Sequence, residues 1–413
     1  MLFFVSDLHF TDAPEASGIH VPSFLARLEE AVGAAREGGA ESLTLVLLGD
    51  IFELLKSPRW LATTARPWLP DSAEKEAAVS AVFDGIVGSN APFFRRLAAL
   101  TRGAPPLALV YIPGNHDHEM NTPAGRGARA RLAELLPGVV PHERPFRTSF
   151  LNEEHGVLAR HGHEWDPANR TRGELAALGD VVVIELLVRL PRLVFEGLGR
   201  EGLDPRWYFL YELDNVRPQD PRHLAQWLVA GLARLGDDGP ATRRILRDAL
   251  AEIASRFAAV LSEARFEAVA EGEWWIKFFS RLLSAAARRV GVLETALRLP
   301  RGGHGEGPNA HLALLDLQTA RHVAPGLTYL VCGHTHLPEV VPLGLPPSRG
   351  APLYLNTGTW RRVHRAVDVA VDQEAPRFAS LREECLVAIA SPAEERRGFP
   401  AHRIERITRS LSP

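Results

Sequence analysis

Short apolar runs recur along the chain, and each gives way abruptly to polar, often ionisable residues. LFFV (2–5) runs into Ser6-Asp7-Leu8-His9, LTLVLL (43–48) into Gly49-Asp50, and LALVYI (107–112) into Pro113-Gly114-Asn115-His116-Asp117. GVLAR (156–160) precedes His161-Gly162-His163, LTYLVC (327–332) precedes Gly333-His334-Thr335-His336, and PLYL (352–355) precedes Asn356-Thr357-Gly358-Thr359-Trp360. Runs of this length, aliphatic and bounded by Gly or Pro, predict buried strands. The segments between the first three, 24–38 and 74–100, carry helical periodicity. Strands alternating with helices imply a layered α/β core. In such sheets ligands bind beyond the carboxyl ends of the strands, so the polar tips are where a site belongs.

From about residue 167 to 325 the pattern changes to long helical stretches, such as 222–236 and 242–272, with Arg and Glu on their polar faces. This predicts a helical insertion between two halves of the core, dividing the chain into 1–166, 167–325 and 326–413. GDDGP (236–240) reads as the insertion's internal turn and RGGHGEGPN (301–309) as its exit loop. The tail holds one predicted strand, CLVAIA (385–390), followed by a polar, Arg-rich end.

Composition narrows the class only modestly. The 413 residues are 46% hydrophobic and 23% charged, with a net charge of −3, which gives no global attraction to nucleic acid or anionic membrane. Two cysteines, Cys332 and Cys385, cannot build a disulfide framework. The most apolar stretch, 181–195, is broken by Glu185, Arg189 and Pro191, short of the roughly 18 apolar residues a span needs. LFFV is too short for a signal h-region. A cytoplasmic protein is the expectation.

The strand tips together supply Asp7, His9, Asp50, Asn115, His161, His334 and His336. Oxygen and nitrogen donors without thiolate suit Mn, Fe, Zn or Co in an open site rather than a closed structural zinc site. Seven donors exceed what one catalytic ion uses. They suit two ions sharing a carboxylate, an arrangement that activates water and clamps a phosphoryl group.

The ordered series D-x-H, GD-x-x-E, GNHD, HGH and GH-x-H resembles the calcineurin-like metallophosphoesterase superfamily, over about 1–166 and 326–360. The resemblance implies a β-sandwich of two mixed sheets flanked by helices, refining the layered α/β reading. It implies one metal on Asp7, His9, Asp50 and His336, and a second on Asp50, Asn115, His161 and His334. The cofactors would be two divalent ions, Mn2+ first, with Fe, Zn, Co or Ni as alternatives. It further implies a hydrolase in which activated water attacks phosphorus of a phosphodiester, pyrophosphate or phosphomonoester. His116 would be the general acid, and Glu53 its orienting carboxylate, one methylene longer than the Asp common in the family. The run Gly49-Asp50-Ile51-Phe52-Glu53-Leu54-Leu55 lacks the Arg of the protein Ser/Thr phosphatases. GDIFE resembles the bacterial UDP-diacylglucosamine pyrophosphohydrolases, which carry Arg where this chain has His116.

His163 reads as a contact to substrate or metal, or as a hydrogen-bonding support. Asp117, Asn356 and Trp360 read as turn residues, and Arg361, Arg362 and Arg365 as a solvated charge run, with a phosphate-binding rim as the alternative. In 271–290, Trp274, Trp275, Phe278 and Phe279 stand beside Lys277, Arg281, Arg288 and Arg289, a helix of the insertion's core or a lid for an apolar substrate tail. The expected partner is a phosphorylated small molecule or lipid-linked substrate, with peripheral membrane contact through the insertion as a further option. A nuclease of the same superfamily and a non-catalytic metal-binding scaffold are the alternative functions.

Overall fold

The computed structural model describes residues 1–13, 19–139, 145–172, 175–199, 205–217, 221–235, 240–266, 308–344, 352–367 and 377–411. Three strands, β1 (Leu2–Val5), β2 (Leu43–Leu48) and β3 (Leu107–Ile112), form where the apolar runs predict them. They pair in parallel, with Leu2 opposite Thr44 and Leu43 opposite Leu107. Parallel pairing needs crossover helices. The first crossover is α1 (Val21–Glu37), the second α2 (Ala73–Ser89) with α3 (Ala91–Leu100), and α4 (Arg126–Leu135) follows β3.

The stretch 74–100, continuous in helical pattern, is broken at Asn90 into two helices bent by 76°. Asn90 turns its side-chain amide back to the carbonyls of Ile86 and Thr11, at 2.8 and 3.2 Å. Pro92, in the first turn of α3, has no N–H to extend the helix before it. Among the described residues no single helix is long and apolar enough to cross a membrane.

The second sheet runs β4 (Phe150–Asn152), β5 (Val157–Ala159), β7 (Tyr329–Cys332), β9 (Leu353–Thr357) and β8 (Pro338–Pro342) in spatial order. Its three central strands are parallel and its edges antiparallel, so both sheets are mixed. The sheets face each other across a core of Phe4, Val46, Leu48 and Ile112 on one side and Val157, Ala159, Val331 and Leu355 on the other. The far face of the first sheet is covered by α1–α4, through Phe24, Phe83, Phe93, Phe94 and Leu132. Strands buried on both faces explain why their sequences are unbroken apolar runs rather than alternating ones. Two mixed sheets flanked by helices, with helices intervening between the halves, is the architecture expected.

The first sheet extends further than the pattern foretold. Strand β11 spans Phe378–Ile389, and the Arg-rich end is not loose but forms β12 (His402–Leu411), antiparallel to β11 from Ser380↔Leu411 to Ile389↔His402. On its other edge β11 meets β1 through Val387–Ile389 and β10 (Arg362–Ala366) through Phe378–Arg382. β12 hides from an apolar reading because it is a charged edge strand, with Arg406 pairing with buried Glu383. Charge on an edge discourages pairing with other chains.

Between the halves, a turn α5 (Leu178–Val181) continues through a π-helical stretch, Val182–Val188, into α6 (Arg189–Gly197). α7 (Pro221–Leu235) and α8 (Pro240–Glu263) follow, and α9 (Pro308–Ala320) leads back to β7. Leu186, Leu190, Trp207, Trp227, Ile253 and Phe257 form this region's own apolar core. α8 ends before the 272 its periodicity foretells, and the Trp-rich stretch 271–290 lies outside the described residues. The region is stitched to the rest: the two-residue strand β6 (Val216–Arg217) joins the first sheet beside β10. Arg66–Glu185, His118–Asp180 and Lys56–Asp214 are ion pairs across the same boundary, at 3.2, 3.0 and 2.7 Å.

Candidate metal centre

Strands β1, β2, β3, β5, β7 and β9 lead directly into the loops that carry the polar motifs, and there the backbone turns sharply. Asp7, His9, Asp50, His334 and His336 have φ of 52°, 47°, 51°, 71° and 61°. Among the described residues these are the only non-glycines in the left-handed region. That conformation costs about 1–3 kcal/mol per residue and persists where the surroundings enforce it. Here the turns bring the side chains at i and i+2 in D-x-H and H-x-H into one volume.

The surroundings that enforce it are polar and buried. Asp117 accepts hydrogen bonds from the amides of Asp50, Ile51 and Phe52, at 3.3, 2.9 and 3.2 Å, and from Gly114. It therefore clamps the loop after β2 to the loop after β3, which is more than the simple turn its position suggests. Burial, then the charge of Asp50, push its carboxyl up to about 6. Asn356 likewise spans two loops, donating to the Gly333 carbonyl at 2.7 Å and accepting from the Gly358 amide at 2.9 Å. Thr359 donates to the Asp7 carbonyl at 2.7 Å. Trp360 packs edge-on against Phe24 in the core. Gly114 admits no side chain, because a Cβ there would collide with the Asp50 carboxylate.

Three donor groups result, two of them sharing Asp50 and the third made of His9, Glu53 and His116. The inward atoms of Asp7, His9, Asp50 and His336 lie within 4.8 Å of one another, and so do those of Asp50, His161 and His334. Asn115 joins the second cluster through its Oδ1, 3.0 Å from His334 Nδ1. Asp50 belongs to both. All of these residues are buried except His334, which is half-buried.

Hydrogen bonding at the far nitrogen of each imidazole sets what the near nitrogen offers. His161 Nδ1 donates to the Leu48 carbonyl at 2.9 Å, leaving the Nε2 lone pair 3.2 Å from an Asp50 oxygen. His334 Nε2 donates to Asp166 at 3.2 Å, leaving Nδ1 facing Asn115 Oδ1. His9 Nδ1 donates to Glu53 at 2.8 Å, and its Nε2 faces His336 Nε2 at 3.1 Å. At His161 Nε2 against Asp50 and His334 Nδ1 against Asn115 Oδ1, acceptor faces acceptor, which repels unless a positive charge sits between them. Asp7 Oδ1 and His161 Nε2 are, moreover, buried without a hydrogen-bond partner among the described residues. The donor set and these orphaned atoms fit two divalent cations held by nitrogen and oxygen.

His336 is the exception. Its Nδ1 accepts from Arg217 at 2.5 Å, so the neutral ring carries its proton on Nε2, toward Asp7 at 3.3 Å. Using Nε2 as a metal donor therefore requires the Arg217 contact to open.

Beside the clusters stands a dyad. Glu53 accepts from His116 Nδ1 at 2.8 Å with one oxygen and from His9 Nδ1 at 2.8 Å with the other. Its extra methylene lets one carboxylate bridge a donor of the first cluster and the residue beside Asn115. Burial alone would lower the His116 imidazole, but Glu53 and Asp50 outweigh it and push it up to about 9. Burial would raise Glu53, yet His116 and His9 hold it well below the usual carboxylate range.

The remaining residues distribute differently. His163 lies 5.4 Å from the His161 ring, and burial takes it down to about 4. Arg362 reaches Glu212 at 3.7 Å and Arg365 reaches Glu383 at 2.7 Å. Arg361 is not part of a solvated run: it is 2% exposed and pairs with Asp214 at 2.7 Å. Pairing with a carboxylate from the insertion, 147 positions away, is what carries it inward. Sequence reasoning missed Lys56, Asp166, Asp214 and Arg217. Only Asp166, five positions after His161, had a local signal.

Comparison with protein-family models and with curated proteins returns no match. The grouping of the two clusters around a shared Asp50 is nevertheless consistent with a metallophosphoesterase-like centre, and it is a plausible dinuclear site capable of hydrolytic chemistry.

Proposed function

We propose that the protein is a dinuclear-metal-dependent phosphoester hydrolase. The observation that carries this reading is the pair of donor clusters sharing Asp50, with the Glu53–His116 dyad immediately beside them. Asp7, His9, Asp50 and His336 would hold one ion, and Asp50, Asn115, His161 and His334 the other. Two divalent ions, when bound, supply an activated water and stabilise charge on a phosphoryl group. The chain's own residues do the rest. His116 gives a proton to the leaving oxygen, and Glu53 fixes the ring so that Nε2 points away from the carboxylate and toward substrate. Asp117 and Asn356 keep the loops in register, which preserves the attack geometry on which rate depends. The physiological ion is proposed to be Mn2+, and the site of action the cytoplasm.

The test is a panel of p-nitrophenyl phosphate, bis(p-nitrophenyl) phosphate and a nucleotide sugar, run with protein loaded with Mn, Co, Ni or Zn. Asp50→Asn is expected to abolish both metal retention and turnover. His116→Ala is expected to retain its metals and lose about 10²–10⁴-fold in kcat. Metal-loaded protein with no turnover on any of the three would favour a binding scaffold instead.

A further inference from the structure

Next to the first donor cluster stand three buried cations with one carboxylate in ion-pair contact among the described residues. Lys56, Arg217 and Arg361 are 4%, 8% and 2% exposed, and they converge on one buried residue, Asp214, the first and third on its carboxylate and Arg217 on its backbone carbonyl. Lys56 Nζ donates to Asp214 Oδ1 and Arg361 Nη2 to Asp214 Oδ2, both at 2.7 Å. Arg217 uses Nη1 on the carbonyls of Asp214 and Val216, at 2.6 and 2.9 Å, and Nη2 on His336. Arg361 keeps its Nε buried with no partner among the described residues. Of the further carboxylates that act on Arg361 or Arg217, Glu53 is already engaged by His9 and His116, Glu212 by His364, and Asp7 belongs to the first donor cluster.

The one carboxylate in ion-pair contact serves Lys56 and Arg361, which leaves buried Arg217 with no carboxylate in contact among the described residues, and unpaired buried charge is costly. An anion placed here would supply the missing contact, and Arg361 Nε is a donor left for it. These cations also border the reaction site: Arg217 donates to His336, and the Lys56 amide donates to Glu53 at 3.0 Å. Were His336 to offer Nε2 to a metal, Arg217 would lose its acceptor there and be left with only backbone carbonyls.

We infer that Lys56, Arg217 and Arg361, set by Asp214, form an anion subsite that selects substrates carrying two negative charges at the reacting end. Phosphomonoesters and pyrophosphate links qualify; a simple phosphodiester, with one charge, does not. The inference rests on the hydrolase reading for its substrate but not for its binding site. The insertion contributes Asp214 and Arg217, and the core contributes Lys56 and Arg361, so the insertion acts on substrate choice through charge. Guanidinium groups suit this task because they present paired donors to phosphate oxygens.

The experiment is calorimetric binding to the full-length Mn2+-loaded protein at pH 8, with inorganic phosphate as the dianion and dimethyl phosphate as the monoanion. Phosphate is expected to bind at least about tenfold tighter. Arg361→Gln is expected to reduce that advantage about tenfold, with metal content and circular dichroism matching the parent, and Arg361→Lys to keep part of it. Equal affinities in the unaltered protein would overturn the inference without recourse to a variant. So would an advantage unchanged in Arg361→Gln. A preference for phosphate with no turnover of any phosphoester keeps the subsite and removes the hydrolase. Turnover with equal binding of the two anions does the reverse. Faster hydrolysis of p-nitrophenyl phosphate or of a nucleotide sugar, each relative to the diester, assigns the second charge to the same phosphate or to its neighbour.

Discussion

Replacing Asp214 with alanine removes the carboxylate that two buried cations share, and the consequence can be worked from the contacts. Asp214 takes Lys56 and Arg361 at 2.7 Å each, and its own side chain is 5% exposed. The two cations hold its carboxyl far below the usual range in spite of burial. Breaking a buried ion pair by removing one partner costs about 3–5 kcal/mol, because the other charge stays desolvated. Here two partners are orphaned at once, which places Asp214→Ala at the upper end of that interval. Asp214→Asn keeps the volume and one acceptor oxygen and should lose about 3 kcal/mol. Urea unfolding, followed by tryptophan fluorescence, gives the measurement. The double variant Asp214→Ala with Lys56→Met should be less destabilised than the two single losses added together, since it removes an orphan along with its partner. A loss below about 1 kcal/mol for Asp214→Ala, or strict additivity in the double variant, would show that the cations are solvated and the reasoning wrong.

Three further outcomes follow from the same geometry. Glu53→Asp cannot span both His9 and His116, so kcat should fall about 10- to 100-fold; unchanged kinetics would mean that the bridge is idle. Asp166→Ala removes the acceptor that holds His334 Nε2–H. Metal titration should show one of two ions bound about 10–100-fold more weakly, the other unaffected. The third concerns pH. Burial alone would lower His118, but Asp180 outweighs it and raises the ring to about 9 from an ordinary 6.5. Its ion pair therefore contributes fully below about pH 6.5 and is lost as pH rises through about 9, a swing of up to about 3 kcal/mol. Stability between pH 7 and 10 should fall less steeply in His118→Gln than in the parent; parallel slopes would refute the assignment.

How much of this could be read beforehand differs from element to element. β1, β2 and β3 were legible because strands covered on both faces have nothing but apolar residues to show. β12 was not, since an edge strand needs only occasional Ile404 and Ile407 among its arginines. The ligand order was legible because each donor follows a strand directly. The left-handed φ at Asp7, His9, Asp50, His334 and His336 was not, as it is imposed by Asp117, Asn356 and Thr359 from loops far away in sequence. Arg361 was misread for a related reason: a run of arginines looks solvated until a distant carboxylate, Asp214, claims one of them.

The two-residue strand β6 bears on anyone who wishes to engineer this protein. A designer working from the motif pattern would cut near 167 and 325 and close the gap with a short linker. That excision would strip β10 of a neighbour and leave Lys56 and Arg361 confronting each other with their counter-ion gone. Any loss of activity would then report a collapsed charge cluster, not a missing lid. A cleaner graft keeps Leu213–Arg217 with the core and exchanges only what lies beyond it.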